Sequence, residues 1–540
     1  MNKVRLITIL ILLLHVFALI IYHIYGYIGH FGFDDMQYAE IANGLKSGII
    51  DYNDHFTYRF PIIFFTSLSY YFFGVSDFAS SLPPLICTIS IIFLVFQTLK
   101  KASHLTLIIG LSLTTFSNWF IFYSDKLMPD IYVAFSFFFS LYIINAYKFH
   151  SDKKKPVLYS VILAFTLLFG FMSKGTIILI LPLLIYFVIA DLIKKRDVNF
   201  WIYSIISCIL MLTIYFLIIW ALTGDFSSRF KAITSNSYLN LCSYDKQSFN
   251  VLFKRISFEF WNLMIFQGMF TGFVFIFAFL FQRKIKAVLQ INESLSFYLV
   301  SAIILFLSCN FMTISPTSYI PMCLDPRHYL FLTPIVAIPA SYIITEYIKE
   351  KKYAVQIILC LISVTFLSFF LQGDSFWELY LPLTVLFGFV YLFVKNKKFR
   401  WIFIVFFVLI MMVKPYFSMR YAHTINYSKQ KEIALEYIIN RNEDCYIITD
   451  YVQKRLVFYL SGFNKNSKYT LLSFNNFNID TLANKKKMLF LNWYTQYLSG
   501  FDANDLPYYA KNIDSSDVLV YKNSELNVSI FELKNISNQA

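Results

Sequence analysis

The sequence predicts an all-α polytopic membrane protein of about 13 transmembrane helices, followed by a small C-terminal α/β extracytoplasmic domain. Three observations lead there. The chain is 58% hydrophobic and 20% aromatic but only 14% charged, with a mean hydropathy of +0.59, and a soluble chain of 540 residues could not hide that much apolar surface. The apolar residues fall in runs of about 20, the length that crosses a hydrocarbon core. The basic residues cluster between those runs, on one predicted side of the membrane.

The elements follow in order. Lys3 and Arg5 precede the apolar run Leu6 to Tyr25. That run is too long for a signal-peptide core and lacks a small-x-small cleavage site, so it reads as a retained helix with a cytoplasmic N-terminus. Spans are expected near 4–26, 79–99, 104–123, 129–149, 156–173, 175–193, 200–222, 263–281, 295–314, 328–348, 354–371, 376–394 and 400–417. The charges test this assignment independently. The predicted inner loops carry Lys100-Lys101, Lys153-Lys154-Lys155, Lys194-Lys195-Arg196, Arg283-Lys284 with Lys286, Lys349 with Lys351-Lys352, and Lys395 with Lys397-Lys398 and Arg400. The short outer loops carry a single basic residue or none: Lys126, Lys174, Arg327. A miscounted span would send the clusters to alternating sides. The same distribution explains the net charge of +14 without invoking nucleic acid.

Residues 1–417 therefore form the transmembrane domain, with a first outer loop at 27–78 in which Pro61 to Phe73 is too short to span and is expected to lie flat at the interface. A second outer segment, 223–262, mixes polar and aromatic residues. Residues 418–540 are richer in Asn, Asp, Lys and Ser and form the extracytoplasmic domain. There Gln430 to Asn440 reads as an amphipathic helix, and Cys445 to Thr449, Met488 to Trp493 and Val518 to Tyr521 read as strands. Of the seven cysteines, Cys87, Cys208, Cys309 and Cys360 sit in apolar spans. Cys242 and Cys323 fall in outer loops and could form a disulfide, and no metal-ligand Cys/His spacing occurs.

Chemistry concentrates at the predicted outer face. Asp34, Asp35, Glu40, Arg59, Asp125, Lys126, Asp130, Lys174, Asp325, Arg327 and His328 come from separate helix ends that a bundle can converge on one cavity. Carboxylates suit proton abstraction from a hydroxyl or cation binding, and Lys and Arg suit a phosphate. Each position also has a structural reading. The Asp34-Asp35 pair can be a solvated loop or a helix start. Lys174 can snorkel, Asp130 can face a helix N-terminus after Pro129, and Arg327 can pair with Asp325.

Four segments taken in order resemble the C-superfamily glycosyltransferases, in particular the bacterial branch related to protein O-mannosyltransferases and the lipid A aminoarabinose transferase. They are Phe33-Asp34-Asp35 with Tyr38-Ala39, Tyr58-Arg59-Phe60-Pro61 running to Phe73-Gly74, Ser173-Lys174-Gly175 with Leu181-Pro182, and Arg327-His328-Tyr329-Leu330 with Thr333-Pro334. The likeness covers roughly residues 1–420 and leaves the tail largely aside. Asp35 stands where Glu is common, Arg59 where Lys often precedes the Pro, and His328 is inserted between Arg and Tyr. The resemblance implies transfer of a sugar from a polyprenyl-phosphate donor, in bacteria usually undecaprenyl phosphate, to an acceptor hydroxyl at the outer face of the inner membrane, with inversion. It implies Asp34 as general base, with Asp35 and Asp130 as further catalytic carboxylates, Asp130 orienting the acceptor or pairing with a cation. It implies Arg59, Lys126, Lys174, Arg327 and His328 as the donor-phosphate site, and lipid, glycan or protein as acceptor. No cofactor is required, although a divalent cation near Asp34 and Asp35 is compatible with the residues. The rival is a transporter or flippase of a lipid-linked glycan. It should carry mid-span charges and internal repeats, and neither is evident.

Overall fold

The structure, a computed structural model, describes residues 3–149, 155–235, 242–282, 293–315, 318–393, 399–441, 443–464, 467–474, 482, 485–491, 510, 513 and 516–534. The basic residues Lys153, Lys154, Arg283, Lys284, Lys286, Lys395, Lys397 and Lys398, and Trp493 at the end of one expected strand, lie outside them.

Among the described residues, eight helices are long and apolar enough to cross a membrane, or nine if the bent pair Phe249–Phe266 and Thr271–Gln282 is one span. Shorter apolar helices include His104–Thr115, Ala354–Phe370 and Phe376–Leu392. The chain is a multi-pass membrane protein. Each expected span coincides with a helix or a pair of helices. The expected span 263–281 is bent by 116°, because Gly268 adopts φ +73° and ends the first helix before the second begins. The expected span 104–123 breaks between Thr115 and Asn118. Pro61 to Phe73 is a helix, Phe60–Phe73, and residues 27–78 also contain the helix Asp34–Lys46 and a short 3-10 turn His55–Tyr58.

The chain divides into two compact units. The first holds Met1–Ile24, Asp51–Pro61 and Pro84–Ser418. Its helices differ in what they face: 78% of the apolar window of Pro129–Phe149 is buried, against 11% for Val198–Thr223. The latter exposes Ile202, Ile205, Ile206 and Ile209, an arrangement stable only in an apolar solvent. Buried serines tie the interior helices: Ser136 Oγ donates to the Thr166 carbonyl at 2.6 Å and Ser160 Oγ to the Phe200 carbonyl at 2.8 Å.

The second unit comprises Tyr25–Ile50, Ile62–Pro83 and Met419–Ala540. Its tail carries a five-stranded sheet: β1 Cys445–Thr449, β2 Tyr469–Ser473, β3 Lys486–Leu491, β4 Val518–Asn523 and β5 Val528–Leu533. The order is β2-β1-β3-β5-β4, with β1 parallel to both neighbours and β5 antiparallel to both of its own. Period-2 alternation fills both faces. Ile447 and Met488 point into a core with Ile433, Ile438 and Val457 from the helices, while Ile448 and Leu489 enter a second core with Phe474 and Leu533. The expected amphipathic helix begins earlier, at Tyr427, and ends with a π-turn at Leu435–Ile439. The helix Tyr451–Leu460 and the strands β2 and β5 were not evident in the sequence.

Candidate active site

In the first unit, three predicted site residues from three chain segments meet. The helix Pro156–Ser173 stops at Lys174, which is extended (φ −164°, ψ 140°) before a 3-10 turn at Gly175–Ile180. The break carries the lysine out of helical register towards the first turn of Pro129–Phe149, where Asp130 sits. Lys174 Nζ lies 2.7 Å from Asp130 Oδ1 and 2.9 Å from His328 Nδ1, and His328 Nδ1 lies 2.9 Å from the same Asp130 oxygen. One imidazole nitrogen cannot donate to the carboxylate and accept from the ammonium together, so the tautomer and charge of His328 choose between the two bonds. Asp130 is 5% exposed, yet its Oδ2 has no hydrogen-bond partner.

The segment bearing His328 is held from both sides. Asp325 caps the 3-10 turn Pro326–Tyr329 by accepting from the Arg327 backbone N–H, and its Oδ2 lies 3.0 Å from Arg327 Nε. Behind it, the fully buried Arg255 donates to the Met322 carbonyl at 2.8 Å, to Asn310 Oδ1 at 2.8 Å and to Tyr329 Oη at 3.3 Å. The Cys242–Cys323 disulfide, with Cα atoms 5.1 Å apart, closes the same region. Arg59 and Arg327 both act on the Lys174 ammonium electrostatically, and Lys174 and Arg327 both act on the Asp130 carboxylate. The Arg59 guanidinium also lies 5.1 Å from the centre of the Phe56 ring. Lys126 is drawn elsewhere: its ammonium, only 3% exposed, lies 2.6 Å from Asp125 Oδ1, whose Oδ2 is 2.8 Å from His23 Nδ1. His23 as a partner was not foreseen, because nothing in the first apolar run marks it as polar machinery. An apolar groove of about 400 Å³ opens in the same unit, lined by Phe171, Ile177, Ile178 and Leu181 on either side of the Lys174 break and by Leu212 and Phe216 of the helix Val198–Thr223.

In the second unit, the acidic pair divides its labour. Asp34 and Asp35 open the helix Asp34–Lys46, where the exposed N–H groups favour negative charge. Asp35 is buried, accepting from Phe31 N–H at 2.5 Å and Phe33 N–H at 2.9 Å, with His30 Nδ1 3.3 Å away. Burial pushes the Asp35 carboxyl up, but the His30 bond and charge and the two backbone donors outweigh it and hold the group below the ordinary carboxylate range. The turn that delivers those N–H groups needs glycine at both ends. Gly29 and Gly32 have φ +79° and +84°, and a Cβ on either would come within 2.3 Å of Tyr427 or Val452. Asp77 continues the network through the Tyr427 hydroxyl at 3.0 Å and Lys431 Nζ at 2.6 Å, long-range partners that sequence spacing could not reveal. Asp34 is half-buried, and no hydrogen bond or ion pair among the described residues engages its carboxylate. Among those residues no three His, Cys, Asp or Glu side chains are grouped to hold a metal ion.

Comparison with known proteins bears on what these groups do. The family model for dolichyl-phosphate-mannose-protein mannosyltransferase matches residues 61–233. Two crystal structures of ArnT from Cupriavidus metallidurans, one in the apo state and one bound to undecaprenyl phosphate, match over 96% of this chain and 97% of theirs, each with a TM-score of 0.56 at 12% identity. The chain shares its fold with these ArnT structures. No curated protein sequence matches it significantly. The sequence match takes in Lys174 and Asp130, and the structural match extends the likeness in fold beyond the stretch that the motifs cover.

Proposed function

We propose that the protein is an integral membrane glycosyltransferase of the bacterial inner membrane, moving a sugar from a polyprenyl-phosphate donor to an acceptor hydroxyl on the extracytoplasmic side. The observation that carries this reading is the Lys174 break: a half-buried cation cluster whose flanking residues line an apolar groove. A polyprenyl chain suits the groove, and the phosphate at its head suits Lys174, Arg59 and Arg327. The fold supports the same reading, as does the undecaprenyl phosphate bound to the Cupriavidus ArnT.

The chemistry is an inverting displacement. Asp34 takes the proton from the acceptor hydroxyl as its oxygen attacks the anomeric carbon. The carbon–oxygen bond to the phosphodiester breaks, and its electron pair leaves on a polyprenyl phosphate that gains negative charge. Lys174, Arg59 and Arg327 offset that developing charge. Asp130 holds Lys174, and its unpartnered Oδ2 accepts from a substrate hydroxyl. Asp35 keeps the turn rigid so that Asp34 alone carries the proton. His328 tunes the cationic surroundings by switching its bond between Lys174 and Asp130.

The test is transfer of radiolabelled sugar from polyprenyl-phosphate donors by purified protein in lipid, wild type beside Asp34→Ala. Transfer or slow donor hydrolysis that disappears in the variant supports the reading. Tight donor binding without turnover, unchanged in the variant, would return the protein to the transporter reading.

A further inference from the structure

A second concavity lies wholly within the second unit. It has a volume of about 500 Å³ and is walled by the helix Asp34–Lys46, the helix Tyr451–Leu460 and strand β2, an edge strand among the described residues. Its first wall is the helix that Asp34 opens. Gln37 and Glu40 line the cavity three and six residues after Asp34, roughly 4.5 and 9 Å further along the helix axis. The cavity therefore begins about one helical turn beyond Asp34.

Its chemistry is that of a site for a charged sugar. Arg455 is fixed by Gln37 Oε1 at 2.7 Å and by the Tyr451 hydroxyl at 3.3 Å, with its guanidinium 5.6 Å from the Tyr451 ring centre. Lys454, half-buried beside it, has no carboxylate partner among the described residues. Two cations face one carboxylate, Glu40, so the lining keeps an excess of positive charge. Tyr451 is 54% exposed and offers an aromatic face for the C–H face of a sugar ring, as does the half-buried Phe458. A neutral glycan would leave Lys454 unpaired, whereas a bare anion would leave the aromatic walls unused.

We propose that this cavity binds the acceptor as a glycan segment bearing a negative charge, either a uronate or a sugar phosphate, with the anion on Lys454 and Arg455 and the sugar face on Tyr451. Naming the ligand as acceptor rests on the glycosyltransferase reading, but the binding does not require turnover.

The experiment measures binding to the full chain in detergent, without donor. The probes are a disaccharide ending in glucuronate, the same disaccharide ending in glucose 6-phosphate, and the neutral one ending in glucose. At least one anionic probe should bind about tenfold or more tighter than the neutral one, and which one does so separates the two sources of charge. Lys454→Glu should abolish that preference with an unchanged melting temperature, and Tyr451→Ala should weaken all three probes. Equal binding of charged and neutral probes, or a preference that survives in Lys454→Glu, overturns the proposal. Loss of sugar transfer in Asp34→Ala with unchanged charge-selective binding keeps both readings. Charge-selective binding in a protein that never turns over refutes only the transferase reading.

Discussion

Asp130 and Asp191 are both buried aspartates of the first unit, and each meets a lysine from a separate stretch of chain. Asp191 is filled on both oxygens. Arg196 Nε donates to Oδ1 at 2.9 Å, Trp201 Nε1 donates to Oδ2 at 2.8 Å, and Lys148 completes the set with its ammonium 5.5 Å from the centre of the Phe187 ring. Asp130 crowds two partners onto one oxygen and leaves the other bare. The second unit repeats the contrast within one dipeptide, since Asp35 is saturated and Asp34 is not. A carboxylate whose lone pairs are all used within the protein can hold structure but has nothing left for a substrate. The unsatisfied member of each pair is the one placed to work.

The largest effect should separate Asp34 from Asp35. Asp34→Asn should lower sugar transfer by about 10²–10⁴-fold, the usual loss when a general base is removed, with little change in melting temperature. Asp35→Asn should instead lower the melting temperature, because an amide NH2 facing the Phe31 or Phe33 N–H groups leaves buried donors unpaired. Thermal unfolding beside a transfer assay reads both. Equal loss of transfer with equal stability in the two variants would end the contrast.

The next effect divides the two buried aspartates. Asp191→Ala strands Lys148 in an apolar setting and should destabilise the protein by about 3–5 kcal/mol, with activity per folded molecule retained. Asp130→Asn keeps one acceptor oxygen near Lys174, so it should unfold at a temperature closer to wild type while transfer falls. If Asp130→Asn is the less stable and the more active of the two, Asp130 is a structural pair like Asp191.

A smaller effect concerns the scaffold behind His328. Arg255→Met removes hydrogen bonds to Met322, Asn310 and Tyr329 from a fully buried position and should loosen the segment that carries Arg327 and His328. Donor KM should rise before kcat falls, and proteolysis near Cys323 should quicken.

These contrasts also mark how far the sequence could be read. The apolar helices were legible because lipid demands long apolar runs. Lys174, Asp130 and His328 were legible as candidates because ionisable groups at the ends of apolar runs are costly and therefore noticeable. The bare Oδ2 of Asp130 was not legible, since it depends on a rotamer and on what 198 residues of later chain bring up. Asp34 and Asp35 look alike in sequence, and only the turn built on Gly29 and Gly32 separates them. The partners of Asp77, Tyr427 and Lys431, lie more than 300 residues away, at 350 and 354 positions, with no periodicity to announce them. The bend at Gly268 was missed because a glycine inside an apolar run reads as a tolerated helix residue until its φ is known.

The smallest effect is the pH dependence that Asp35 contributes, and its sign follows from the side of the ordinary range on which the carboxyl sits. Once the donors around it are counted against burial, its folded pKa is depressed, whereas in the unfolded chain it titrates near about 4. Below that value the unfolded state binds a proton that the folded state still refuses, so protonation favours unfolding. The stability Asp35 contributes is therefore complete above the unfolded pKa and is lost as pH falls through the folded one. Wild type should lose melting temperature more steeply between about pH 5 and pH 3 than Asp35→Asn, which carries no charge to protonate there. Parallel slopes for wild type and Asp35→Asn would mean that His30 and the two N–H groups do not hold the carboxylate ionised, and the division of labour between the two aspartates would then lose its physical basis.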